Sequence, residues 1–175
     1  MLILDKRWED HKSLMPASVY IESSIISYLA SRPSRDVVKA ARQTITSDWW
    51  LNSKSQYEIY ISALVEDEIS GGDPIAAARR LQAVANIPSI HITSEAQLLA
   101  NALVASKAVP ENSVRDALHI AITATQGIDF LLTWNFKHIN NAETKAIIAR
   151  VIEADGWMCP ILCSPEELGG NDDAE

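Results

Sequence analysis

Hydrophobic positions along this chain switch between the period of strands and the period of helices. Val19, Tyr20 and Ile21 form a short β-branched and aromatic run that stops at Glu22, the pattern of a buried strand ending in a carboxylate. Ser23 or Ser24 can cap a helix reaching Leu29, and the break Arg32-Pro33-Ser34 leads into a longer helix predicted over 35–51. Its apolar stripe is Val37, Val38, Ala41, Ile45 and Trp49. A second strand is predicted over 57–62 and a helix over 63–70, after which Gly71-Gly72-Asp73-Pro74 stops one helix and starts another over 75–84. A short strand at 90–92, a helix over 95–106 capped by Thr93 or Ser94, and a helix over 113–126 closed by Gly127 follow. The compact run 129–133 reads as a fourth strand, 141–153 as a helix stopped near Gly156, and 158–163 as a last strand.

Strand and helix thus alternate without tight hairpin signals. This predicts an α/β protein, a three-layer α/β/α sandwich with a central, mainly parallel sheet of four to five strands. Residues 1–16 are mixed in charge and weakly periodic, so a loose N-terminal arm is expected there, a packed domain over 17–165, and an acidic disordered tail over 166–175. At 175 residues one domain is expected.

Composition narrows the class of function. The chain has 15 Lys plus Arg against 23 Asp plus Glu, a net charge of −8, which argues against a broad basic surface for duplex nucleic acid and leaves room for local basic patches. No apolar run approaches the ~20 residues needed to cross a bilayer, so no membrane contact is expected. Asp5, Glu9 and Asp10 interrupt the N-terminal segment and argue against a signal peptide, so a cytoplasmic protein is expected. Cys159 and Cys163 have no Cys or His pair to complete a zinc set and are expected to be buried thiols. Neither a G-x-G-x-x-G turn after the first strand nor a G-x-x-x-x-G-K-[ST] loop is present, which removes the usual nucleotide-binding readings.

In parallel α/β sheets ligands gather beyond the carboxyl ends of the strands. Glu22, Glu68, Asp116 and Asn135 all fall there. Carboxylates converging in one crevice raise each other's pKa unless a cation lies between them, and hard oxygen donors select Mg2+ or Mn2+. Each residue also has a purely structural reading. Ser113-x-x-Asp116 matches a capping box, Glu66-Asp67-Glu68 matches a solvated helix face from which spacing cannot choose, and His119 and His138 match satisfied interior histidines. Trp49 and Trp50 suit packing better than base stacking. On the otherwise apolar helix over 114–126, Asp116, His119 and Thr123 share one polar edge.

At these residues the sequence resembles the PIN-domain family, and within it the VapC-like ribonuclease toxins of toxin-antitoxin pairs. Val19-Tyr20-Ile21-Glu22-Ser23-Ser24 resembles the opening motif, with Glu22 where Asp is commoner. Ile61-Ser62-Ala63-Leu64-Val65-Glu66-Asp67-Glu68 resembles the second and selects Glu68; Arg115-Asp116-Ala117-Leu118-His119 resembles the third. Leu132-Thr133-Trp134-Asn135-Phe136-Lys137-His138 resembles the fourth, with Asn135 where many members have Asp. The resemblance implies RNA hydrolysis by metal-activated water, with Glu22, Glu68 and Asp116 holding Mg2+ or Mn2+ and Asn135 orienting the water or the scissile phosphate. It places Ser24 beside the substrate and His119, Thr133 and His138 behind the ligands. Arg35, Lys39 and Lys137 are the candidate phosphate contacts. A small antitoxin partner and a homodimer are further expectations of the resemblance. The exchanges at Glu22 and Asn135 motivate an alternative, a PIN-like module that binds a partner protein or RNA without cutting.

Overall fold

A computed structural model describes residues 15–169. The sheet is built from β1 (Ser18–Ile21), β2 (Glu58–Ser62), β3 (Ser89–Ile90), β4 (Phe130–Leu132) and β5 (Ile161–Cys163). Its order is β3-β2-β1-β4-β5, and every neighbouring pair is parallel. The helices are α1 (Ser23–Ala30), α2 (Val37–Asp48), α3 (Ala63–Ser70), α4 (Pro74–Val84), α5 (Ser94–Ala105), α6 (Val114–Thr125) and α7 (Lys145–Ala154). They form two groups, α1 with α2, α3 and α4, and α5 with α6 and α7, on either side of the strands. The architecture is the expected three-layer α/β/α sandwich.

The core explains why β1 sits in the middle. Val19, Tyr20 and Ile21 are fully buried, as are Ile61, Leu131 and Leu132 on the flanking strands. A strand covered on both faces and both edges must be apolar throughout, and only β1 and β4 approach that. Tyr20 pairs in register with Tyr60 on one side and Leu131 on the other, and Ile21 pairs with Leu132. The ladder continues one step past the strand, since the Glu22 N–H donates to the Leu132 carbonyl at 3.1 Å. Residues 22 and 133 therefore leave the sheet side by side.

Several local expectations are corrected. The cap of α1 is Glu22 itself, whose carboxylate accepts the Ser24 N–H, rather than Ser23 or Ser24. The helix predicted over 35–51 begins after Asp36, whose side chain accepts the Lys39 N–H at 2.9 Å, and gives way at Trp49–Ser53 to a wider π-type turn. Its expected stripe is buried only toward its end: Trp49 is buried and Ile45 half-buried, but Val37 is 82% and Val38 59% exposed, and Thr46, outside the stripe, is buried. This helix packs chiefly on α1, so it buries only the narrow face turned that way. β5 starts at Ile161 because Pro160 has no N–H to join the ladder, and Ile161 N donates to the Asp129 carbonyl at 2.9 Å. The helix predicted from 141 starts at Lys145, the preceding turn being closed by the Thr144 and Lys145 N–H groups on the Asn141 carbonyl.

The expected arm over 1–16 falls mostly outside the described residues, and so does the expected tail over 166–175 from residue 170 onward. Within the described part of that tail, Leu168 is buried in the core, and a Cβ on Gly169 would lie 2.8 Å from Ser53 Oγ. The packed region runs past Pro165 for that reason. No helix among the described residues is long and apolar enough to cross a membrane.

Candidate functional site

Glu22 stands at the carboxyl end of the central strand and is only 5% exposed. A buried carboxylate requires donors, and the local sequence provides them. Ser23 Oγ donates to its Oε1 at 2.7 Å, Ser24 Oγ donates to Oε2, and Thr133 Oγ1 donates to Oε2 at 2.6 Å. The Thr133 contact follows from the register that sets residues 22 and 133 together. Ser24 Oγ also accepts the Trp134 N–H at 2.9 Å, so this hydroxyl, expected beside substrate, ties the acid to the end of β4.

Glu68 lies on α3, which follows β2. The three consecutive acids separate by direction: Glu66 accepts from Ser89 Oγ, the exposed Asp67 accepts from Arg115 Nη2, and Glu68 turns inward. Its Oε1 accepts Arg115 Nε at 2.9 Å and its Oε2 lies 2.9 Å from His119 Nε2. Burial pushes the Glu68 carboxyl up, but the hydrogen bond and charge of His119, with Ser23 and Arg115, outweigh it and hold the group at about 2. Glu68 is thus ionised throughout the physiological range.

His119 is 1% exposed, one α-helical turn along α6 from Asp116. Its Nδ1 lies 2.8 Å from Tyr20 Oη, which lies 2.8 Å from Ser62 Oγ. Burial, with the charges of Glu22 and Glu68, raises the Tyr20 phenol far above its ordinary value in spite of the Ser62 hydrogen bond, so it stays neutral. Glu22, Glu68 and His119 each present a ligand atom within 4.8 Å of the others.

Asp116 is not part of that group. Its Oδ2 lies 2.7 Å from His138 Nδ1, which is also 3.0 Å from Ser113 Oγ. The capping box read at Ser113 is not formed, for the Ser113 side chain makes no cap hydrogen bond. Asp116 shares an open cleft of about 370 Å³ with Glu68, Arg115, Ser113 and His138. Glu68 is therefore common to an inner group with Glu22 and His119 and an outer group with Asp116.

Asn135 organises a turn: its Oδ1 accepts the N–H groups of Lys137 and His138 at 3.2 and 3.0 Å, which positions His138 against Asp116. Arg35, Lys39 and Lys137 are exposed and outside the hydrogen bonds that join the acids. Sequence reasoning overlooked Tyr20, Ser62 and Arg115. Tyr20 and Ser62 sit inside strands and look like packing residues, while Arg115 adjoins Asp116 and could have been found as the cation next to that acid.

The donor set suits a divalent cation. Two carboxylates and an imidazole spanning 4.8 Å compare with the ~4.2 Å across an ion whose bonds are ~2.1 Å, so a small contraction would close the set.

No family model and no curated protein matches the chain. Solved structures do. Mycobacterium tuberculosis VapC20, described as a toxin that cleaves the sarcin-ricin loop, matches with a TM-score of 0.53 at 16% identity, over 81% of this chain and 97% of that one. A chain of Rickettsia felis VapBC2, bound to a DNA fragment from their promoter, matches with a TM-score of 0.54 at 12% identity, over 83% of this chain and 97% of that one. The parallel five-stranded sheet and its two helical layers are thus those of the VapC-like PIN-domain fold.

Proposed function

We propose that the chain is a divalent-metal-dependent ribonuclease of the toxin type, with a small antitoxin protein as partner. The observation that carries this reading is the convergence of Glu22 and Glu68, from the ends of two different strand-helix units, on one buried point beside an open cleft. Such convergence has no structural necessity, since each acid could have faced solvent. The antitoxin is inferred from the likeness to VapC20 and VapBC2. An RNA substrate, a homodimer and a cytoplasmic location belong to the same proposal.

In this reading Glu22 and Glu68 hold Mg2+ or Mn2+, and Asp116 completes the charge facing the cleft. A bound ion would supply charge compensation for phosphoryl oxygens and a water of lowered pKa. The protein's own groups do the positioning. Ser23, Ser24 and Thr133 fix the Glu22 carboxylate, and the Asn135 turn fixes His138, which in turn fixes Asp116. Arg115 offsets the charge of Glu68 and Asp67. Arg35, Lys39 and Lys137 are proposed to meet backbone phosphates, and Asn135 to aid alignment of the scissile one.

The test is cleavage of mixed RNAs by the purified full chain, with chelator and after adding back Mg2+ or Mn2+. Wild type is expected to cut only with metal, and Glu68→Gln and Asp116→Asn to lose at least ~100-fold. Cleavage that ignores chelator, or variants as active as wild type, would remove the assignment. One observation favours the second reading, a module that binds without cutting: each acid already has protein partners, Glu22 three hydroxyls, Glu68 Arg115 and His119, and Asp116 His138. Calorimetry showing no heat on metal addition would select it.

A further inference from the structure

We propose that His119 is itself a ligand of the divalent ion, through Nε2, with Tyr20 holding the ring in the ligating tautomer, so that the site prefers Mn2+ to Mg2+. This rests on the metal-dependent reading above and specifies the ion.

The geometry supplies the third donor. The groups that come within 4.8 Å of one another are two carboxylates and an imidazole, whereas the Asp116 carboxylate is bonded to His138. His119 Nε2 lies 2.9 Å from Glu68 Oε2. Adjacent donors on one ion with ~2.1 Å bonds are ~3.0 Å apart, so this pair already has the spacing of two neighbouring ligands. The ring is 1% exposed and lies 5.8 Å, centroid to centroid, from the Tyr20 ring, so its orientation is set by packing.

The proton has a place to go. Ligation through Nε2 requires the ring proton on Nδ1. There Tyr20 Oη, at 2.8 Å, can accept it, while the Tyr20 hydroxyl donates to Ser62 Oγ, also at 2.8 Å. Without metal, Nε2 keeps Glu68 as its partner and Nδ1 keeps Tyr20. In both states each ring nitrogen has a partner, and ring nitrogens of metal-bound histidines are regularly anchored on the far side in this way. An imidazole in the donor set favours the transition ion Mn2+ over Mg2+, because Mg2+ demands oxygen and keeps its waters.

The experiment uses the full chain loaded with Mn2+, followed by calorimetry and by pulsed electron paramagnetic resonance for coupling to a directly bound nitrogen. Wild type is expected to bind Mn2+ at least ~10-fold more tightly than Mg2+ and to show the nitrogen coupling. His119→Gln should lose the coupling and ~10- to 100-fold in Mn2+ affinity. Tyr20→Phe should keep the coupling and bind ~10-fold more weakly, and His138→Gln should keep it unchanged. The wild-type spectrum decides the matter even if a variant fails to fold. Mn2+ bound with oxygen donors only, or a coupling that survives in folded His119→Gln, overturns the inference and leaves the metal-dependent nuclease standing. Absence of binding by either ion overturns both.

Discussion

Single side chains in this site carry more than one duty, and Glu22 shows it most fully. The same carboxylate caps α1, accepts three hydroxyl groups and faces Glu68 across the buried group. Glu68 gives the fold an acid dependence. Its folded-state carboxyl is held at about 2 against an ordinary 4.5, so the stability it contributes is complete above about 4.5 and is lost as pH falls from there toward 2. Discounted for the half-exposed Arg115 side of the pair, this is on the order of 2 kcal/mol. Urea denaturation at pH 6 and pH 3 should show wild type losing about that much more than Glu68→Gln; parallel losses would refute the linkage. The strand-end position of Glu22 was legible in the sequence, because an acid directly after a wholly apolar strand has to be satisfied. The pairing of Asp116 with His138 was not, since it depends on a turn 19 residues further on that Asn135 closes with its side chain. Neither was the burial of His119 against Tyr20, because a tyrosine inside a strand carries no sign of what its hydroxyl will meet.

At the scale of elements, the alternation of strand and helix was legible throughout, because periods of two and of 3.6 are written directly in the spacing of apolar residues. Rotation of a helix about its axis was harder to read. The valines at the start of α2 look like core, but that turn overhangs α1, and the buried positions are Thr46 and Trp49. The hydroxyl of Thr46 links two elements, for Oγ1 accepts the Trp134 indole N–H at 2.8 Å and donates to the Arg42 carbonyl at 2.6 Å, tying α2 to the segment after β4. Thr46→Val keeps the shape and strands the indole N–H in the interior, with an expected loss of ~1 to 3 kcal/mol in a urea titration. A loss below ~0.5 kcal/mol would mean that the tie is replaceable. Trp134 also receives the Arg42 guanidinium over its ring at 5.4 Å, and Phe136 does so at 5.2 Å, so one cation contacts both rings at this corner.

For the molecule as a whole, the layered arrangement separates groups that are chemically available from groups that are shut away. Of the two thiols expected to be buried, Cys163 is buried and pushed up to about 12, while Cys159 is only half-buried and is pushed up to about 11. At pH 8 only about one thiol in a thousand or fewer is then a thiolate, so a disulfide reagent should modify neither cysteine in the native chain within minutes and both after unfolding. Rapid stoichiometric modification of the native chain would contradict the burial. Glu68 at the cleft is the opposite case, held ionised and partly open to solvent.

The sheet order gives the site a property that none of its side chains has alone. Tyr20 and the residue after Ile21 sit on the strand flanked on both sides, whereas β3 and β5 form the margins. Margins fray first, and backbone paired on both sides is the last to exchange its amide protons with the solvent. The innermost carboxylate and the phenol beneath the imidazole are therefore anchored to the part of the sheet that opens last.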